Sequence, residues 1–156
     1  MSLVIRDARP LDAGACGAIL GQAIRDHRWM PQLHSGAEDI AHAGRMIDLG
    51  WVRVAEDGVI RGFLAREDNY VHAIYVARGS RGAGIGRQLI EDARRTCGQI
   101  ELHTFLANAG ARRFYAKLGF KELETSDGDS NDEGLPDVRL IWPAPNLSAP
   151  HLEDAR

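Results

Sequence analysis

The segment Tyr75-Val-Ala-Arg-Gly-Ser-Arg-Gly-Ala-Gly-Ile-Gly-Arg-Gln-Leu-Ile90 constrains this chain more than any other. An apolar strand runs into Gly79, Gly82, Gly84 and Gly86, and an amphipathic helix follows at once. Glycines let the backbone turn so that consecutive N–H groups point the same way. The first amides of the helix have no intrahelical partner, and the helix dipole favours an anion in front of them. Such a junction cradles phosphate, and Arg81 and Arg87 add positive charge at its rim. A plain strand-to-helix turn would need neither four glycines nor the two arginines within nine residues.

The kind of phosphate ligand is narrowed by what the loop lacks. A P-loop needs Gly-Lys-Ser/Thr, and no lysine occurs here. The dinucleotide fingerprint GxGxxG almost fits from Gly82, but its third glycine falls at Arg87. Roughly 70 residues precede the loop, whereas that fingerprint opens its domain. The serine elbow GxSxG fails because Arg78 holds the first glycine position.

Around the loop, Leu3 to Ala8 alternates and predicts a first strand. Pro10 to Ile24 carries a helical stripe through Leu11, Ala15, Ala18, Ile19 and Ala23. A loop with Pro31 follows, and Ser35 is placed to cap a second helix, Ala37 to Leu49, ended by Gly50. Trp51 to Glu56 and Val59 to Arg66 flank the hairpin turn Asp57-Gly58, and Val71 to Val76 is the next strand. The helix from Ile85 to Thr96 sets Ile85, Leu89, Ala93 and Cys97 on one stripe. Gln99 to Phe105 reads as a strand, Asn108 to Leu118 as a helix closed by Gly119, and Lys121 to Thr125 and Val138 to Trp142 as strands around a polar loop. An early antiparallel run followed by a strand–helix–strand unit predicts a mixed α/β (α+β) fold.

The length of 156 residues suits one domain, and 44% hydrophobic with 26% charged residues argues against a disordered, collagenous or coiled-coil chain. The net charge of −3 argues against a general grip on nucleic acid. All but Lys117 and Lys121 of the 19 basic residues are Arg, the better fork for phosphates and carboxylates. No apolar run approaches the roughly 18 residues of a membrane span, and no secretion signal is expected at the start. Cys16 and Cys97 form no CxxC pair, which suits a cytoplasmic protein with two ordinary thiols.

Arg81-Gly-Ala-Gly84-Ile-Gly86 resembles the acetyl-CoA loop of the GCN5-related N-acetyltransferase (GNAT) family, whose pattern is Gln/Arg-x-x-Gly-x-Gly/Ala. VHAIYV before it resembles that family's fourth strand. LANAGARRFYAKLGF after it resembles the family's later segment, with Asn108, Ala111, Phe114, Tyr115, Gly119 and Phe120 at the family's spacing. The likeness covers about residues 51–142 well and the first 50 in outline. The loop from Asp127 to Asp137 is similar to one in small bacterial-type members, with Asp132 replacing a Glu. The resemblance implies a single N-acetyltransferase domain over 1–143 and a flexible tail over 144–156. It implies a mixed, mostly antiparallel sheet of about seven strands, flanked by about four helices and splayed between strands 4 and 5. The implied activity is transfer of an acetyl group from acetyl-CoA, as co-substrate, to a primary amine of a small molecule or peptide by direct attack. No metal, nucleic acid or membrane is implied, and a homodimer is left open. The competing class is a non-catalytic acyl-CoA-binding sensor.

By that resemblance Ile74, Tyr75 and Val76 flank the acyl-pantetheine chain, with a backbone N–H near Val76 polarising the thioester carbonyl. Arg81, Gly82, Ala83, Gly84, Ile85, Gly86 and Arg87 hold the pyrophosphate. Tyr115 serves the departing sulfur, while its neighbour Phe114, about 100 degrees round the helix, goes to the core. Asn108 either bonds the pantetheine arm or caps the helix. An aliphatic ammonium, with a pKa near 10, must lose a proton before attack. His72, expected in register with Ile74 and Val76, is the first candidate base. His103, Glu101, Glu124 and a water chain are the alternatives. Trp29, Met30, His34 and the acids of 127–137 are expected around the acceptor, and those acids mildly favour a cationic one. Asp127, Asp129 and Asn131 fit calcium-loop positions, but Asp132 stands where Gly belongs and Val138 where Glu belongs. No metal is expected.

Overall fold

The computed structural model describes residues 2–144, and the expected tail lies, from residue 145 onward, outside them. The alternating segments become β1 (Val4–Asp7), β2 (Val52–Glu56), β3 (Ile60–Glu67), β4 (Tyr70–Val76), β5 (Ile100–Phe105), β6 (Lys121–Ser126) and β7 (Asp137–Trp142). The helical stripes become α1 (Ala13–Arg25), α2 (Gly36–Asp48), α3 (Ile85–Arg94) and α4 (Ala109–Lys117). All seven strands join one sheet in the order β1-β2-β3-β4-β5-β7-β6. Every neighbouring pair is antiparallel except β4 and β5, which run parallel and meet only at Tyr70 and Glu101. Beyond that pair the two strands part, so the expected splay is present.

Alternation along the strands separates two cores. Val52, Val54, Phe63 and Ala65 face α1 and α2, where they meet Cys16, Ile19, Leu20, Ala43, Met46 and Ile47. On the other face Leu64, Ile100, Leu102, Val138 and Leu140 pack against Ile85, Leu89, Ile90 and Ala93 of α3 and Tyr115 of α4. Both cysteines are free and buried.

The two helices on the first face touch backbone to backbone. A Cβ on Gly17 of α1 would stand 2.6 Å from the Cα of Ile40, and one on Gly21 would stand 2.6 Å from Asp39 Oδ2. Ser35 caps α2 as expected: its hydroxyl accepts from the Glu38 amide at 3.2 Å, and Glu38 Oε1 accepts from the Ser35 amide at 2.9 Å. Two helix boundaries differ from expectation. Pro10–Asp12 forms a separate 3-10 turn before α1, held by the Asp12 carboxylate on the Arg9 amide at 2.7 Å. The helix expected to reach Thr96 ends at Arg94, where Thr96 Oγ1 donates back to the Ala93 carbonyl.

Many of the arginines serve the scaffold. Arg53 forks onto Asp92 at 3.0 Å, and Arg6 binds Asp12 at 2.8 Å and Glu56 at 2.7 Å. Arg112 binds Glu122 at 2.8 Å. Among the described residues no helix is long and apolar enough to cross a membrane.

Candidate active site

Where β4 and β5 part, a cleft of about 350 Å³ opens through the sheet. Val71 to Val76 line it from β4 and Leu102 to Phe105 from β5. Ala23, Ile24, His27 and Met30 close it on the α1 side, and Asn108, Ala111 and Tyr115 on the α4 side. The cleft thus gathers Ile74, Tyr75, Val76, Arg81, Asn108, Tyr115 and His72 from the expected site. Ile74 and Val76 lean into the α3–α4 core, while the Tyr75 ring lies on the opposite face, 5.9 Å from that of Phe63.

The glycine loop sits at the end of β4. Gly82 and Gly84 adopt φ of +84° and +82°, backbone that favours glycine. Gly84 is the N-cap of α3 and offers no side-chain cap, so the first amides of the helix are left for another acceptor. Gly86 lets the helix seat closely: a Cβ there would stand 3.1 Å from the Phe114 ring and 3.8 Å from Val76 Cγ2. Ile85 is buried in the core, and Gly82, Ala83 and Gly84 are exposed. Arg87 does not turn into the cleft. It lines a groove between α3 and α4 with Lys117, Glu91 and Arg94.

Arg81 folds across the mouth of the cleft. Its Nε donates to the Val76 carbonyl at 3.2 Å, and its Nη1 lies 2.9 Å from Asp26 Oδ2. Arg78 pairs with the same carboxylate, and Gln22 donates to it at 2.9 Å. Arg78, Gln22 and Arg81 together hold the Asp26 carboxyl well below the usual range. Neither Asp26 nor Arg78 was singled out from sequence, although one signal existed. Asp26 is the C-cap of α1, where a carboxylate opposes the helix dipole and needs a cation to settle it.

Tyr115 is 6% exposed, its ring packed against Phe114 and Phe120 at 5.2 and 5.4 Å. Burial, reinforced by the Tyr75 phenol, pushes its pKa far up, so it stays protonated at neutral pH. Asn108 caps α4, its Oδ1 accepting from the Ala111 amide at 3.0 Å. It also lines the cleft.

His72 does not share the register of Ile74 and Val76. The β3–β4 pairing steps from Ala65 opposite Ala73 to Arg66 opposite Val71, which leaves His72 as an extra residue. Such a bulge re-aims the side chain. His72 turns to the α1–α2 face, stacks on Trp51 at 4.6 Å and 8°, and sits with Nε2 3.0 Å from Glu67 Oε1. His103 Nδ1 lies 2.8 Å from the Tyr70 hydroxyl. Glu101 and Glu124 are claimed by Arg139, at 2.8 and 3.1 Å. That pairing, mainly, lowers the Glu101 pKa, which makes it a weaker base.

A second cavity, of about 520 Å³, adjoins the cleft and shares Ile24, His72, Ala73 and Tyr75 with it. His34, Asp39, Asp132 and Glu133 line the new part. Of the residues expected around an acceptor, Met30 reaches the first cleft, while His34, Asp132 and Glu133 reach the second. Trp29 instead packs edge-on to Phe105 at 5.7 Å. The remaining loop acids are internally tied. Asp137 accepts from Ser126 at 2.6 Å, and Asp127 accepts from the Asp129 amide at 3.0 Å. Asn131 clamps Leu135 through both its amide groups, at 2.7 and 3.2 Å. No cluster of metal-ligating side chains occurs among the described residues.

The chain is similar to known proteins. The family described as "Acetyltransferase (GNAT) domain" matches residues 48–122, a stretch that runs from the end of α2 into β6 and holds the glycine loop and Tyr115. The peptidyl-lysine N-acetyltransferase YjaB of Salmonella typhimurium is 30% identical over 93 residues, 60% of this chain and 64% of that protein. A 5-NmdU N-acetyltransferase of Pseudomonas phage PaMx11 is 39% identical over 95 residues, 55% of this chain and 66% of that protein. The matched stretch thus spans less than two thirds of these relatives. The solution structure of apo YjaB from Escherichia coli superposes with a TM-score of 0.77 at 22% identity, covering 91% of this chain and 98% of that one, which shows a shared fold. The parallel splay, the uncapped glycine-loop helix and these matches together identify residues 48–122 as an acetyltransferase domain of the GNAT family.

Proposed function

We propose that this protein transfers the acetyl group of acetyl-CoA to a primary amine of a small molecule or peptide. The observation that carries the reading is the cleft itself. It passes between two parting parallel strands, with an uncapped helix N-terminus at the end of β4 and a buried, protonated phenol in its wall. The names of the relatives support it, since each describes transfer of an acetyl group to nitrogen. The amides of Ile85, Gly86 and Arg87 and the Arg81 guanidinium take the diphosphate. The pantetheine arm lies along the open edge of β4, and the backbone near Val76 polarises the thioester carbonyl.

The amine approaches from the second cavity, past His72. It gives up a proton to His72, whose far side is steadied by Glu67, and its nitrogen bonds to the acyl carbon. The carbon–sulfur bond then breaks, Tyr115 delivers its proton to the leaving thiolate, and the nitrogen of the new amide gives up its second proton to the Tyr115 phenolate. A cytoplasmic site of action suits the two free thiols.

The test is release of free thiol from acetyl-CoA, followed with a thiol-reactive dye over a panel of primary amines. Amine-dependent release is expected. Tight coenzyme binding by calorimetry without release for any amine would overturn transfer and favour a coenzyme sensor.

A further inference from the structure

One buried charge is not used by this mechanism. Asp39, in the first turn of α2, is 4% exposed and is the one buried charged residue among those described. Gly21 of α1 makes room for it, since any Cβ there would stand 2.6 Å from Asp39 Oδ2. The Arg25 guanidinium approaches the same glycine, with Nη1 3.1 Å from that Cβ position. Yet the Asp39 carboxylate takes part in no hydrogen bond or ion pair among the described residues. It opens instead onto the second cavity. A carboxyl side chain this far buried with no protein partner is unfavourable, so such a group is normally matched by a cation or a donor.

The cavity around it is acidic. Glu38, Asp39, Asp132 and Glu133 line it against one guanidinium, that of Arg45. Burial, with Arg45 beside it, lowers the His42 pKa and keeps that ring uncharged near neutrality. The Asn131 clamp fixes the turn that carries Asp132 and Glu133, so those two carboxylates are presented rather than loose. The Tyr75 phenol, which lines both cavities, is pushed up to about 12 by burial and, to a lesser degree, by Glu133 and Asp39.

We propose that Asp39, with Glu133 opposite, binds a second cationic group of the acceptor, so that the preferred substrate carries an ammonium or guanidinium some carbons from its reacting amine. This rests on the transfer reading above and specifies its substrate class. The reacting nitrogen stands at the shared wall of His72, Ala73 and Tyr75, and the second charge stands deeper, against α2. A diamine and a basic peptide both offer this chemistry.

The test compares kcat/KM for 1,5-diaminopentane with that for pentylamine, which has the same chain and one charge fewer. A lysine peptide with an arginine neighbour is compared with one flanked by alanine, so that the two sources of the second charge are separated. The doubly charged member of at least one pair is expected to be preferred by about tenfold or more, equivalent to about 1.4 kcal/mol. Asp39→Asn should shrink that preference to within about threefold. Glu133→Gln, on an external loop, should shrink it in the same direction and covers the case in which Asp39→Asn fails to fold, as judged by thermal melting. Equal use of singly and doubly charged members in both pairs overturns the inference and leaves acetyl transfer standing, as does a preference that survives both variants. No thiol release with any of these amines, despite coenzyme binding, overturns both.

Discussion

Tyr115 combines a packed ring with a phenol kept protonated by burial, which is what a donor to a departing thiolate requires. Tyr115→Phe keeps the ring and removes the proton. It should lower kcat by about a hundredfold, in the range of one general acid, and leave acetyl-CoA affinity nearly unchanged. Equal turnover in a stopped-time thiol assay would return Tyr115 to packing alone. Asp26 is expected to make the opposite case, restraining binding. Asp26→Asn frees the Arg78 and Arg81 guanidiniums, so calorimetry should show acetyl-CoA binding several-fold tighter, the usual scale of a partly exposed pair. Looser binding would contradict this. Tyr115 was legible in sequence because its signal is local spacing. Asp26 was not, because its arginine partners lie 52 residues or more away along the chain. The direction of His72 was not legible, since one extra residue in β4 inverts the face and no residue type announces that bulge.

The strand–loop–helix unit is the element most fully written in the sequence, because glycine spacing and helix amphipathicity are both short-range. Gly84 at φ +82° has no atom within 4 Å of where its Cβ would stand, so a side chain fits in space but not in backbone conformation. Gly84→Asp should therefore cost about 1–2 kcal/mol of stability through strain. It should also weaken acetyl-CoA binding severely, because a carboxylate then faces the diphosphate. Calorimetry showing unchanged affinity would refute the cradle. The α1–α2 contact was illegible by contrast. Gly17 looked like any small residue on a helix, yet it lets the two backbones touch. Gly17→Ala should destabilise the protein by about 1–3 kcal/mol, read from chemical denaturation, as overpacking does. A neutral result would mean the helices slide apart freely.

At the scale of the molecule, the seven-stranded order with β7 between β5 and β6 was not readable, since no local signal says which strand pairs with which. The charge pattern that ties this sheet to its helices makes stability depend on pH. Arg6 lowers the Asp12 pKa, Arg139 that of Glu101 and Arg112 that of Glu122. Each carboxylate binds its proton less readily folded than unfolded, so its contribution is whole above about pH 5 and drains away as acid titrates it. His42, lowered by burial, acts earlier: below about pH 6.5 the unfolded chain takes up its proton first. Thermal melts should thus show a shallow decline beginning near pH 6.5 and a steep one below about pH 4.5. A melting temperature that rises on acidification would contradict the assignment. The Asp26 carboxylate set between Arg78 and Arg81 adds a last consequence. Before any coenzyme arrives, the loop already holds an anion of its own, so loading it resembles ion exchange on a resin more than filling an empty socket. Under the proposed function a thioester carrier has to outcompete a tethered carboxylate, which would favour diphosphate-bearing carriers over simple thioesters by a threshold at the end of α1.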